Sequence, residues 1–133
     1  MAISVEVKIA SGTGVIQPCH LTYSEALTLT LTARSPAFPE VSFNADNLFD
    51  ALTDLRLYLE GRGYLLLCNV ARKDTYISNM AKEMGGGFKV YVLHRGQQAR
   101  MNEMVDSLGE APLELVTTVA QQRTAYEQWL RSL

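Results

Sequence analysis

Cysteine and histidine are scarce in this sequence, and neither is arranged for chemistry. The two cysteines, Cys19 and Cys68, lie far apart, the two histidines, His20 and His94, form no cluster with them, and there is no CxxC. A zinc site takes three or four such ligands, so no metal is expected. The thiols read instead as small core residues of a reducing compartment. No apolar run approaches the ~20 residues of a membrane span. The opening "MAISVEVKIA" alternates like a strand and lacks the apolar core and cleavage site of a signal peptide. These absences point to a cytoplasmic protein. A GxSxG nucleophile motif is missing, and so is a Gly-rich loop that opens a helix through Lys-Ser or Lys-Thr. Hydrolase and nucleotide-loop chemistry have no local support, and no cofactor is expected.

A bulk excess of either charge is missing too. The net charge is −2, with 47% hydrophobic and 20% charged residues, the composition of an ordinary globular chain. The length fits one domain, residues 1–133, burying roughly two-thirds of its unfolded surface without a metal or disulfide. The near-balance conceals a division. Residues 1–60 carry seven acids (Glu6, Glu25, Glu40, Asp46, Asp50, Asp54, Glu60) against three bases (Lys8, Arg34, Arg56), a balance of −4. Residues 61–133 carry seven acids against nine bases, a balance of +2. Such a split marks either differently solvated faces or an acidic surface that meets a basic partner.

What is present is periodic. Ile3, Val5, Val7 and Ile9 alternate with Ser4, Glu6 and Lys8, which is a half-buried strand. "SGTG" turns the chain, and Val15 and Ile16 begin a second strand. "ALTLTLTA" sets Leu27, Leu29 and Leu31 against Thr28, Thr30 and Thr32, and "SPAFPE" ends that third strand. "FNADNLFDALTDLRLYLEGRG" predicts a helix over about 45–60, capped by Asn44 or Asp46 and stopped at Gly61 and Gly63. "YLLLCNVA" reads as a central, doubly covered strand, and "FKVYVLHRG" as another. "MNEMVDSL" reads as one helical turn. Pro112 stands at a favoured first-turn position, and the pattern runs helical from 112 to 131. Its apolar side holds Val116, Val119, Ala120, Tyr126, Trp129, Leu130 and Leu133. The order β-β-β-α-β-β-α predicts an α+β fold: an antiparallel or mixed sheet with two long helices on one face.

The least regular stretch is "ARKDTYISNMAKEMGGGFKVY". Gly85, Gly86 and Gly87 lead into a strand, the reverse of a phosphate loop, so they read as structural, with at least one at positive φ. Residues 72–100 are locally +4, from six bases against Asp74 and Glu83, with Tyr76, Phe88 and Tyr91 interleaved. Basic residues among aromatics are the composition of a small anion- or nucleic-acid-binding module. The acidic overall balance argues against it, and no nucleic-acid partner is expected.

Over residues 64–133 the chain resembles a known bacterial family, and the N-terminal half matches it only by its layout. One family pattern is close to CxGARxDVxPSGMxRxMGGGxxAY, and Cys68, Ala71, Arg72, Asp74, Met80, Met84, Gly85, Gly86, Gly87 and Tyr91 match it. A second is close to PELVxTVxEQRxxYExWLxSL, matched by Glu114, Leu115, Val116, Thr118, Val119, Gln122, Arg123, Tyr126, Trp129 and Leu130. Tyr76, Ile77, Ser78 and Asn79 depart from the first pattern, where the family has proline and glycine. The resemblance is to immunity proteins of polymorphic-toxin and contact-dependent growth inhibition systems. It implies an antitoxin that neutralises one cognate toxin domain by binding it, without catalysis, the target being a nuclease of ribonuclease type. The candidate toxin-binding residues are then Asp46, Asp50, Asp54 and Glu60 on the acidic helix, and Arg72, Lys73, Asp74 and Tyr76 beyond it. Arg72 and Asp74 have a second reading, in which they pair with each other.

Overall fold

The computed structural model describes residues 2–133. The first half is a meander of four antiparallel strands: β1 (Ala2–Ser11), β2 (Ile16–Glu25), β3 (Leu29–Ser35) and β4 (Phe38–Ala45). Helix α1 (Leu48–Gly61) follows and leads into β5 (Tyr64–Leu66), which pairs with β1, so the sheet order is β4-β3-β2-β1-β5. Alternation does the sorting. Val7, Ile9, Cys19, Leu21, Leu29, Leu31 and Ala33 are buried on one face. On the other face hydroxyls pair across strands: Thr32 with Ser42 at 2.8 Å, and Thr30 donating to Asn44 at 2.7 Å. Helix α1 lies over the apolar face, with Leu48, Leu52, Leu55 and Leu59 buried.

The second half is smaller and less regular. A three-stranded antiparallel sheet is ordered β6 (Thr75–Tyr76), β7 (Lys89–Val92), β8 (Met104–Asp106), with helix α2 (Asn79–Gly85) between the first two. Helix α3 (Val119–Arg131) closes the chain against β6 and α1. The fold is α+β, as expected, and several elements differ from their sequence reading. "SPAFPE" ends β3 at Ser35, as expected, but it also turns a hairpin into β4, which runs at the sheet edge, where Pro39 is tolerated. Leu27 sits in the β2–β3 turn, fully exposed, because the strand starts only at Leu29. Residues 64–66 form an edge strand, not a central one, and the chain then tightens into a 3-10 turn, Asn69–Ala71. Asn47, not Asn44 or Asp46, caps α1. "MNEMVDSL" begins with one 3-10 turn, Met101–Glu103, and residues 104–106 then extend as β8. Pro112 precedes a short 3-10 turn, and α3 starts at Val119, capped by the Thr118 hydroxyl.

Helix α3 is fastened by polar groups. Gln122 is its buried side chain. The Gln122 Oε1 accepts from Arg56 Nη1 at 2.6 Å, and its amide nitrogen lies 2.7 Å from the Val70 carbonyl and 2.9 Å from that of Arg72. Arg56 also donates to the carbonyls of Val70 and Thr117. Burial lowers this guanidinium to about 10, and the Glu60 carboxylate opposes that shift. Glu60 itself accepts from the free backbone N–H of Val119 at 2.9 Å, where a helix start favours an anion.

Both cysteines are buried and free. Burial pushes the Cys19 thiol up to about 11 and the Cys68 thiol up to about 12. Since the thiolate is the reactive form, neither will react with an aqueous disulfide reagent at about pH 8 until urea unfolds the chain. Prompt reaction of the native protein contradicts this placement.

Candidate functional site

The three helices meet around an open cleft of about 420 Å³. Its first wall is the start of α1. Asn47 and Asp50 form a reciprocal cap: the Asp50 N–H donates to Asn47 Oδ1 at 2.8 Å, and Asn47 Nδ2 donates to Asp50 Oδ2 at 2.9 Å. The other carboxylate oxygen of Asp50 takes Lys82 Nζ of α2 at 3.1 Å. The same ammonium lies 5.3 Å from the centre of the Phe49 ring, a distance at which the ring face attracts it.

The three glycines place α2. Gly86 ends the helix in the left-handed region at φ +71°, and its carbonyl accepts from the Leu48 N–H at 2.8 Å. Gly87, at φ +78°, presses so close that a Cβ there would stand 2.5 Å from the Phe49 backbone nitrogen. The expected positive φ is therefore present at two of the three, and the close approach of two backbones is the reason.

The floor is aromatic. Phe49 meets Tyr76 edge-on at 5.5 Å, Tyr76 stacks on Tyr126 at 4.2 Å with the rings 13° apart, and Tyr126 continues to Trp129 at 5.8 Å. Aromatic pairs in these geometries add stability beyond the area they bury. Arg123, Glu127 and Leu130 of α3 form the far rim. Arg123 and Glu127 are exposed and take part in no ion pair among the described residues. No group of three or more His, Cys, Asp or Glu among the described residues is placed to hold a metal.

The sequence candidates scatter about this cleft. It brings Asp50 and Tyr76 together. Asp46 and Asp54 are exposed and do not line it, while Glu60 is occupied in capping α3. Arg72 and Asp74 clasp each other through two bonds of 2.8 and 2.7 Å, which is their second reading, and that bond pushes the Arg72 guanidinium higher. Lys73 points to solvent on another side. Phe49, Lys82, Arg123, Tyr126 and Glu127 were not among the candidates. Tyr126 belonged to a helical apolar stripe, and nothing local says that such a stripe will meet Tyr76.

No family model matches the chain, and a search of the curated proteins found no match. The resemblance to immunity proteins therefore rests on the residue patterns alone. No helix is long and apolar enough to cross a membrane among the described residues.

Proposed function

We propose that the chain is a cytoplasmic immunity protein that neutralises a cognate toxin domain by occupying it, the toxin being a nuclease. The observation that supports this reading is the cleft's composition: two half-buried tyrosines on a buried phenylalanine, bordered by separate charges. Binding energy at protein interfaces concentrates in buried aromatic and arginine anchors surrounded by a polar rim. Tyr76, Tyr126 and Phe49 supply the floor, and Arg123 and Glu127 the rim. A nuclease carries cations for phosphate, and an acidic surface steers such a partner and raises its on-rate. Asp54 and Glu127 are exposed for that role, whereas Asp50 is engaged with Asn47 and Lys82.

The test is co-expression with the adjacent toxin domain, followed by association kinetics across salt concentrations. Tyr126→Ala is expected to weaken the complex by roughly 30-fold, the loss typical of a central aromatic anchor. The double reversal Asp54→Lys and Glu127→Lys is expected to slow association without lowering the melting temperature, since exposed charges contribute little to stability. Added salt should slow the wild type as well, because attraction between exposed charges is screened beyond ~8–10 Å. Association that ignores salt and both sets of substitutions removes the cleft from the interface.

A further inference from the structure

On its other side, α3 borders a depression that runs from an aromatic end to a basic end. Behind the Tyr76–Tyr126 stack, Tyr91, Leu93, Ala99 and Trp129 close a pocket of about 160 Å³ that no charged residue lines. Leu93 and Trp129 also line the adjoining pocket of about 200 Å³, where Lys73 and Arg95 stand. Arg95 and Gln128 join that pocket in turn to an open recess holding Arg131. The three cations come from three separate segments of the chain. All are exposed, and none takes part in an ion pair among the described residues. Asp74, the acid at this rim, is already held by Arg72.

The arrangement is held in place. Trp129 Nε1 lies 3.0 Å from the carbonyls of both His94 and Gln97, and the Gly96 N–H donates to Ser132 Oγ at 2.8 Å. His94 pairs with Glu103 at the other end of the loop. The loop carrying Arg95 is thus seated on the last turn of α3, beside the helix end that carries Arg131. A site organised before its ligand arrives loses less freedom on binding.

We propose that this depression binds a nucleoside phosphate, with the base against Tyr91 and Trp129 and the phosphate at Lys73, Arg95 and Arg131. Aromatic side chains stack on any base. Guanidinium forks match phosphate oxygens. An acidic peptide would use the cations and leave the aromatic end empty, so the pairing of the two ends favours a ligand that has both a flat ring and an anion. The ligand is either a free mononucleotide or the end of a single strand. The Tyr76–Tyr126 stack backs both this pocket and the cleft, but Tyr91, Arg95 and Arg131 do not line the cleft, so substitutions at those three test this site apart from toxin binding.

Trp129 is the single tryptophan of the chain, so its fluorescence reports on the site directly. The full chain is titrated with adenosine monophosphate, inorganic pyrophosphate, a short single-stranded oligoribonucleotide and polyglutamate. A saturable change with the mononucleotide is expected, with pyrophosphate at least about tenfold weaker for want of a base to stack. Arg95→Ala and Arg131→Ala should each weaken binding about tenfold through a lost charged contact, with the melting temperature unchanged. Tyr91→Ala should weaken the mononucleotide and leave pyrophosphate as it was. Tighter, salt-sensitive binding of the oligoribonucleotide identifies a strand end as the ligand, and equal binding identifies the free nucleotide. The proposal is overturned if neither alters Trp129 at millimolar concentration, or if pyrophosphate or polyglutamate binds as well as the mononucleotide.

Discussion

Gln122→Leu is expected to destabilise the protein by about 3 kcal/mol, the cost of removing the nearest acceptor of a buried guanidinium together with the amide donor to several buried carbonyls. Arg56 and Gln122 are each 2% exposed, so water cannot replace what is lost. The substitution removes the acceptor 2.6 Å from Arg56 Nη1 and the donor that serves the Val70 and Arg72 carbonyls. Gln122→Glu will not rescue it. A carboxylate pairs with Arg56 but has no N–H, and it sets a negative oxygen against those carbonyls. The double variant Arg56→Met with Gln122→Leu should lose less than the sum of the single variants, since the Arg56–Gln122 bond is lost in each single variant and so is counted twice in that sum. Urea denaturation of the four proteins measures the coupling. Additive losses, or a Gln122→Leu loss below ~0.5 kcal/mol, show that the node does not hold α3. Hydrogen exchange gives a second check. Gln122 is the buried side chain of α3, so the helix should lose its amide protection in Gln122→Leu while β1–β3 keep theirs.

The second large effect lies in the glycine run, where three neighbouring substitutions separate three causes. Gly87→Ala is expected to cost at least ~3 kcal/mol, combining left-handed backbone strain with overpacking. Its Cβ would stand 2.5 Å from the Phe49 nitrogen and 2.8 Å from the Phe49 Cβ. Both neighbours belong to the first turn of α1, which is anchored by its cap and cannot yield cheaply. Gly86→Ala, with φ +71° and the Phe88 ring edge at 3.1 Å, should cost about 1 kcal/mol, because a ring edge can turn aside and the strain is that of one helix-end residue. Gly85→Ala meets nothing within 4 Å and lies inside α2 at ordinary φ. It should be neutral or stabilise by up to ~1 kcal/mol through the stiffer unfolded chain. Thermal melts of the three variants test the order. Equal effects at all three positions contradict the close approach of α2 to α1.

Period-two alternation was enough to locate β1 and β3, and leucines at helical spacing were enough for α1, because each pattern records which side of its own element faces the core. The same logic failed wherever a side chain's surroundings came from elsewhere. Alternation continued through Leu27, yet the hairpin geometry turned that residue out to solvent. The apolar stripe of the last helix was visible, but Pro112 suggested too early a start, because the capping hydroxyl of Thr118 and the carboxylate of Glu60 decide where the free amides are met. Glu60 read as an exposed acid because its partner, Val119, lies 59 residues away. The chain alone determined the α+β class, the structural nature of the triple glycine and the lack of a local catalytic motif. Only the tertiary structure decided that Asp50 and Tyr76 share a cleft, that Arg72 and Asp74 neutralise each other, and that Lys73, Arg95 and Arg131 border one depression. A local pattern carries the sign of burial. A site needs groups from distant segments at hydrogen-bonding and stacking distances, and those distances are set by how α1, α2 and α3 pack together.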